Sequence, residues 1–132
     1  MNMIQITPIY AALIAVLMAV LATRTAMLRG KYDVGLGDKG HAELRLWRRR
    51  FGNLSEYAAM VMLLMLLMEL KGASAFWLHA YGMVFVALRL LHPIILFDDT
   101  AVSLVRKLAR GLAGGGTALL LVIGAAALLL MR

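Results

Sequence analysis

Ionisable side chains within otherwise apolar stretches are the residues of this chain best placed to do chemistry. Arg24, Glu56, Arg89 and His92 each fall inside, or at the edge of, a long apolar run. Such groups are costly to place in lipid, so they usually face the interior of a helix bundle or a watery cavity. These positions are therefore the starting point for a functional site.

The spacing of the polar residues indicates what that site could bind. Arg49, Asn53 and Glu56 are four and three residues apart, so they share one face of a helix. Arg89 and His92 share another face for the same reason. Arginines bind carboxylates through paired hydrogen bonds, and a carboxylate accepts hydrogen bonds from an ammonium group. This combination predicts a pocket for a ligand that carries both kinds of charge and is negative overall.

A structural interpretation is also open at these positions. Glu56 could pair with Arg89 or Arg24 simply to hold helices together, and His92 could be a satisfied histidine of the bundle. The three histidines have no metal-ligand spacing and the chain has no cysteine. We therefore predict neither a metal site nor a disulfide.

The elements that must position these residues are four apolar blocks, each long enough to cross a bilayer, which takes about 20 residues. They cover residues 8–28, 53–70, 74–97 and 112–131. The 132-residue chain is 63% hydrophobic and 16% charged, whereas soluble domains are about 45–50% apolar and about 25% charged. Because an open sheet cannot span lipid, we predict an all-α integral membrane protein. A single domain over residues 1–132 forms a bundle of four transmembrane helices, and residues 42–50 can begin the second helix before the membrane.

The distribution of basic residues predicts the orientation of the bundle. Fourteen Lys and Arg against seven Asp and Glu give a net charge of +7. Most of the basic residues flank the first and third connections, where we expect them among lipid headgroups, whereas the other side has only Lys71 and Arg132. By the positive-inside rule, both termini lie on the non-cytoplasmic side and the polar site lies in the cytoplasmic half. A nucleic-acid-binding protein would share the sign of the charge, but not its setting among apolar runs.

Three segments together resemble a known family. Residues 49–57, RRFGNLSEY, resemble the Arg-x-x-x-Asn-x-x-Glu-Tyr signature of the membrane-associated proteins in eicosanoid and glutathione metabolism, the MAPEG family. Residues 34–40, VGLGDKG, resemble the loop of its small bacterial members, and residues 89–92, RLLH, resemble its third-helix Arg-x-x-His/Tyr pair. Helix number, length and orientation agree, so the resemblance covers nearly the whole chain.

The resemblance implies a homotrimer that binds glutathione between subunits, near the cytoplasmic face of a bacterial inner membrane. On that basis, the tripeptide would be held by second-helix and third-helix residues: Arg49, Asn53, Glu56, Tyr57, Arg89 and His92. Glu56 would bind its amino group. The resemblance also implies catalytic arginines that stabilise the thiolate, one near the end of the first helix (Arg24 or Arg29) and one near the start of the fourth (Arg106, or else Arg110).

The expected function is that of a glutathione-dependent detoxification enzyme without a metal. It would conjugate glutathione to lipophilic electrophiles, or reduce lipid hydroperoxides, with the apolar substrate arriving from the bilayer. Two departures from the family pattern, Phe51 for a histidine and Leu96 for a tyrosine, favour an arginine as the thiol activator and argue against eicosanoid synthesis. The alternatives are a non-catalytic glutathione- or lipid-binding protein and a small multidrug-type transporter. The transporter would need an acidic residue near mid-membrane, whereas Glu56 and Glu69 lie near the ends of their block.

Overall fold

The computed structural model describes residues 4–95 and 104–131, apart from the side chains at positions 106, 107, 109, 110 and 113. Four helices account for most of this part of the chain: α1 (Thr7–Lys31), α2 (Ala42–Leu70), α3 (Ala75–Ile95) and α4 (Leu104–Leu130). The predicted all-α architecture is confirmed. Three helices, α1 to α3, are long and apolar enough to cross a membrane, and α4 has a shorter apolar part, Gly114–Leu130.

Helices α2 and α4, which follow the two basic connections, begin several residues before their apolar blocks. The second block was predicted from residue 53, but α2 begins at Ala42, as the prediction for residues 42–50 anticipated. The fourth block was predicted from residue 112, but α4 begins at Leu104. Hydropathy marks where a helix meets lipid, whereas the backbone hydrogen bonds of a helix continue through residues such as Arg and Lys that favour helices.

A carboxylate from α2 holds the start of α1. The two Glu69 side-chain oxygens accept hydrogen bonds from the backbone N–H groups of Gln5, Ile6 and Thr7, each at 2.7 Å. The first N–H groups of a helix have no partner within the helix. Glu69 therefore caps α1 and fixes its start against the end of α2.

The short connection between α2 and α3 reverses the chain. Gly72 has φ +83°, in the left-handed region that glycine adopts without steric cost, and its N–H donates to the carbonyl of Glu69 at 3.0 Å. Lys71 is exposed and its ammonium group donates to the backbone oxygens of Leu128 and Met131. This end of the bundle thus joins the end of α2 to the end of α4.

Successive helices are antiparallel, and α2 and α3 lie at the centre. Helices α1 and α4 each contact α2 and α3, and within residues 4–95 and 104–131 they make no contact with each other. The core contains Ile14, Val61, Met65 and Phe85. Below, the basic end of the bundle means the end where α1 and α3 finish and α2 and α4 begin.

One close contact fixes α1 against α3. A Cβ atom added at Gly82 would lie 2.5 Å from the ring of Tyr10. The Tyr10 hydroxyl is hydrogen-bonded to Nδ1 of His79 at 2.9 Å and donates to the His79 carbonyl at 3.2 Å. Glycine is therefore needed at position 82 for the ring to reach this site.

Candidate functional site

A cavity of about 720 Å³ with charged side chains in its lining lies between α1 and α2 at the basic end. Small residues and one arginine of α1 form one wall, and the polar face of α2 forms the other. The residues around it are Ala22, Thr25, Ala26, Arg29, Arg45, Arg48, Arg49, Phe51, Gly52, Asn53 and Glu56. A second cavity of about 270 Å³, near the opposite end, has an apolar lining that includes Met68, Trp77 and Ile123. The charged groups make the first cavity the candidate site.

Helical periodicity explains why α2 supplies so many polar groups to one wall. Arg45, Arg49, Gly52 and Glu56 recur at intervals of four, three and four residues, so they follow one face of the helix. Asn53 lies on the same face and also lines the cavity. The structure therefore brings Arg49, Asn53 and Glu56 together in one site.

Two arginines of the cavity also hold the loop of residues 32–41. Arg29 donates from Nη1 to the carbonyls of Val34 and Gly35, at 3.3 and 2.8 Å. Arg48 forms an ion pair with Asp38, with Nη1 and Oδ2 3.6 Å apart. The loop that joins α1 to α2 is thus fixed against the rim of the cavity.

The Glu56 carboxylate lines the cavity without a partner among the described residues. Its side chain is exposed, and no hydrogen bond or ion pair reaches it from the part of the chain that the structure describes. The two structural pairings considered for it are not formed, because Arg24 and Arg89 have other partners. Because no described side chain forms an ion pair with this carboxylate, it can bind the ammonium group of a ligand.

Arg24 lies outside the cavity. It donates from Nη2 to Oε1 of Glu43 at 3.1 Å, and its guanidinium carbon lies 5.6 Å from the centre of the Trp47 ring. Glu43 also accepts hydrogen bonds from Lys31 and Tyr32, at 3.2 and 2.7 Å. These groups are half-exposed, so each ion pair is worth only about 0–1 kcal/mol. Of the two α1 arginines considered, only Arg29 lines the cavity.

Arg89 lies behind the cavity wall. Its side chain is 2% exposed, Nη1 donates to Oδ1 of Asn53 at 2.7 Å, and Nη2 donates to Oγ1 of Thr117 at 2.5 Å. Its guanidinium carbon lies 5.8 Å from the centre of the Tyr57 ring, close enough for a cation–π contact. Neither Arg89 nor Tyr57 lines the cavity itself, and the half-buried His92 does not line it either.

Sequence reasoning missed three residues of this region. Arg45 and Arg48 were interpreted as charges among headgroups, although both line the cavity. Arg45 is four residues before Arg49, a spacing that places the two on one helical face and could have identified Arg45, and Arg48 is three residues after Arg45. Thr117 gave no signal, since its role depends on the packing of α4 against α3. The side chains of the predicted residues Arg106 and Arg110 lie outside the described part of the chain.

Comparison with known proteins agrees with this architecture. The sequence model of the MAPEG family matches residues 7–130. The chain belongs to the MAPEG family. Inner membrane protein YecN of Escherichia coli (strain K12) is 38% identical over 88 residues, which are 67% of each chain. Inner membrane protein YecN of Escherichia coli O6:H1 (strain CFT073) matches with the same identity and coverage. No solved structure matches the chain significantly.

Family membership and the apolar helices together establish the general class of the protein. It is an integral inner-membrane protein of the MAPEG family, which is associated with glutathione and eicosanoid metabolism. Its cavity lies at the end of the bundle where residues 49–57 begin the apolar part of α2.

Proposed function

We propose that this MAPEG protein binds glutathione in the cavity at the basic end. The main support is that a single face of α2 presents Arg49, Asn53 and Glu56 to one cavity. Glutathione has two carboxylates and one ammonium group at neutral pH, which match arginines and a carboxylate respectively. The cavity volume of about 720 Å³ falls within the range of about 300–1,000 Å³ that is typical of small-molecule sites.

The proposed chemistry uses the thiol of glutathione. A thiol becomes a stronger acid beside a cation, and the thiolate is the nucleophile. In conjugation, the thiol proton passes to water, the sulfur forms a bond to the electrophilic carbon, and the leaving group departs with its electron pair. In peroxide reduction, two glutathione molecules are oxidised to the disulfide while the hydroperoxide becomes an alcohol and water. Among the side chains that the structure describes, we propose Arg29 as the cation that activates the thiol, because it lines the cavity.

The proposal includes the assembly and orientation that the family resemblance implies. The side chains of Arg49 and Glu56 are exposed in the single chain, and a neighbouring subunit of a homotrimer would cover them. By the positive-inside rule, we infer that the basic end faces the cytoplasm, where glutathione is available. The lipophilic substrate would reach the cavity from the bilayer.

One observation favours a second candidate function, a glutathione-binding protein without catalytic activity. Arg29 already donates hydrogen bonds to the carbonyls of Val34 and Gly35. If those bonds persist when glutathione is bound, Arg29 has less capacity to stabilise a thiolate. Binding would then occur without acceleration of the chemistry.

Binding and turnover assays on one preparation distinguish these functions. The purified protein in lipid nanodiscs is dialysed against radiolabelled glutathione, and then assayed with 1-chloro-2,4-dinitrobenzene and with cumene hydroperoxide. Saturable binding together with turnover above buffer supports the enzyme. Saturable binding without turnover of any electrophile or hydroperoxide supports the binding protein instead. Absence of binding overturns the proposed function.

A further inference from the structure

A chain of hydrogen bonds connects three helices behind the cavity wall. Thr117 of α4 is completely buried and accepts a hydrogen bond from Arg89 of α3, which is almost completely buried. Arg89 in turn donates to the Asn53 side chain of α2, which lines the cavity. The chain therefore runs from the interior of the bundle to the surface of the site.

The direction of these hydrogen bonds determines how Asn53 faces a ligand. A guanidinium group has only donors, so the atom of Asn53 that contacts Arg89 must be the side-chain oxygen. The amide nitrogen, with its two N–H donors, is then the polar atom that remains for the cavity. In this orientation, Asn53 can donate hydrogen bonds to an acceptor in the cavity, such as a carboxylate or a peptide carbonyl.

Thr117 supplies a second hydrogen bond to the guanidinium group. The Arg89 side chain has several rotatable bonds, and hydrogen bonds from two of its terminal nitrogens restrict rotation of the guanidinium plane more than one does. The Thr117 hydroxyl accepts from Nη2 while Asn53 accepts from Nη1, so the two bonds hold opposite sides of one rigid group.

We propose that Thr117 is a positioning residue of the ligand site, which acts through Arg89 to hold Asn53 as a hydrogen-bond donor into the cavity. This inference rests on the proposed binding of glutathione. It predicts that a hydroxyl on α4, which does not line the cavity, controls affinity for a ligand held by α2.

The test compares glutathione binding by variants in nanodiscs, using equilibrium dialysis. Thr117→Val keeps the size of the side chain and removes the acceptor, and we expect affinity to fall about tenfold, as for the loss of one well-placed hydrogen bond to a charged group. Thr117→Ser keeps the acceptor and should bind within about twofold of the unmodified protein. Thr7→Val removes a buried hydroxyl from α1 at the opposite end and should leave affinity unchanged.

A double-mutant cycle separates positioning from general stability. If Thr117 acts through Asn53, the loss in Thr117→Val combined with Asn53→Ala is clearly smaller than the product of the two single losses. Losses that multiply, or a Thr117→Val variant with unchanged affinity, overturn this inference and leave the proposed function standing. Absence of glutathione binding by the unmodified protein overturns the proposed function, and with it this inference. Thermal unfolding shows whether each variant folds. If Thr117→Val does not fold, the affinities of Thr117→Ser and Thr117→Ala for glutathione are compared instead.

Discussion

Replacing Glu56 by glutamine would remove one negative charge from the cavity wall and keep the size of the side chain. Glu56 is exposed and lines the cavity, and nothing within the described part of the chain forms an ion pair with it. Its carboxylate therefore has little to contribute to the fold and, in the proposed function, binds the ammonium group of glutathione. The Glu56→Gln variant should fold normally and bind glutathione more weakly.

The expected loss follows from what the substitution removes. Hydrogen bonds to charged groups contribute about 1.5–3 kcal/mol, and glutamine loses the charge but keeps one acceptor oxygen, which favours the lower end of this range. A loss of about 1.5 kcal/mol corresponds to roughly tenfold weaker binding.

Calorimetric titration in nanodiscs, with glutathione and with its analogue that lacks the amino group, tests the assignment of Glu56 to the ammonium. The unmodified protein should prefer glutathione about tenfold, and Glu56→Gln should bind the two ligands equally. Glu43→Gln is the matched control, because Glu43 is at the same end of α2 but is engaged by Arg24, Lys31 and Tyr32 and does not line the cavity. A preference that survives in Glu56→Gln, or an equal loss of affinity for both ligands, would show that Glu56 does not bind the ammonium group.

Three further substitutions have expected outcomes. Arg49→Ala should weaken glutathione binding by about 1–3 kcal/mol in the same titration, since it removes charged donors from the cavity wall. Asp38→Asn should strengthen binding two- to threefold, because Arg48 loses its ion-pair partner, and an exposed pair of this kind is worth about 0–1 kcal/mol. Gly82→Ala should lower the free energy of unfolding by about 1–3 kcal/mol, measured by denaturation in detergent, since the added methyl group would lie 2.5 Å from a tyrosine ring of α1.

Each of these substitutions has a control in the same molecule. Arg24→Ala removes an arginine that lies outside the cavity, so a loss of affinity equal to that of Arg49→Ala would show a general charge effect. Weaker binding by Asp38→Asn would indicate that the fixed loop, rather than the availability of Arg48, controls affinity. Gly114→Ala adds a methyl group with no atom within 4 Å, so it should not destabilise the helix, and an equal loss there would contradict the packing argument.

Much of the fold was predictable because lipid restricts what a chain can do. Long apolar blocks must become helices in a membrane, and the positions of the four helices follow from them. The helical residues before the apolar block were anticipated for α2 but not for α4, because residues 104–111 are helical without being apolar. The length of an apolar block alone does not mark where a helix begins outside the membrane.

The site was predictable to the extent that its residues lie on one helix. The spacing of Arg49, Asn53 and Glu56 places them on one face whatever surrounds them. The partners of Arg89 and Arg24 depend on contacts between different helices, which no periodicity within one helix reveals. Arg24 is engaged by Glu43, and Arg89 by Thr117 and Asn53.

Binding of glutathione in the cavity is tested most directly by a crystal structure of the protein grown with glutathione in a lipidic mesophase. We expect electron density for the tripeptide between α1 and α2 at the basic end, with its ammonium group beside Glu56 and a carboxylate beside Arg49. The Asn53 amide nitrogen should donate a hydrogen bond to the tripeptide. An empty cavity at saturating glutathione, or density for the tripeptide elsewhere in the bundle, would show that the cavity is not the glutathione site.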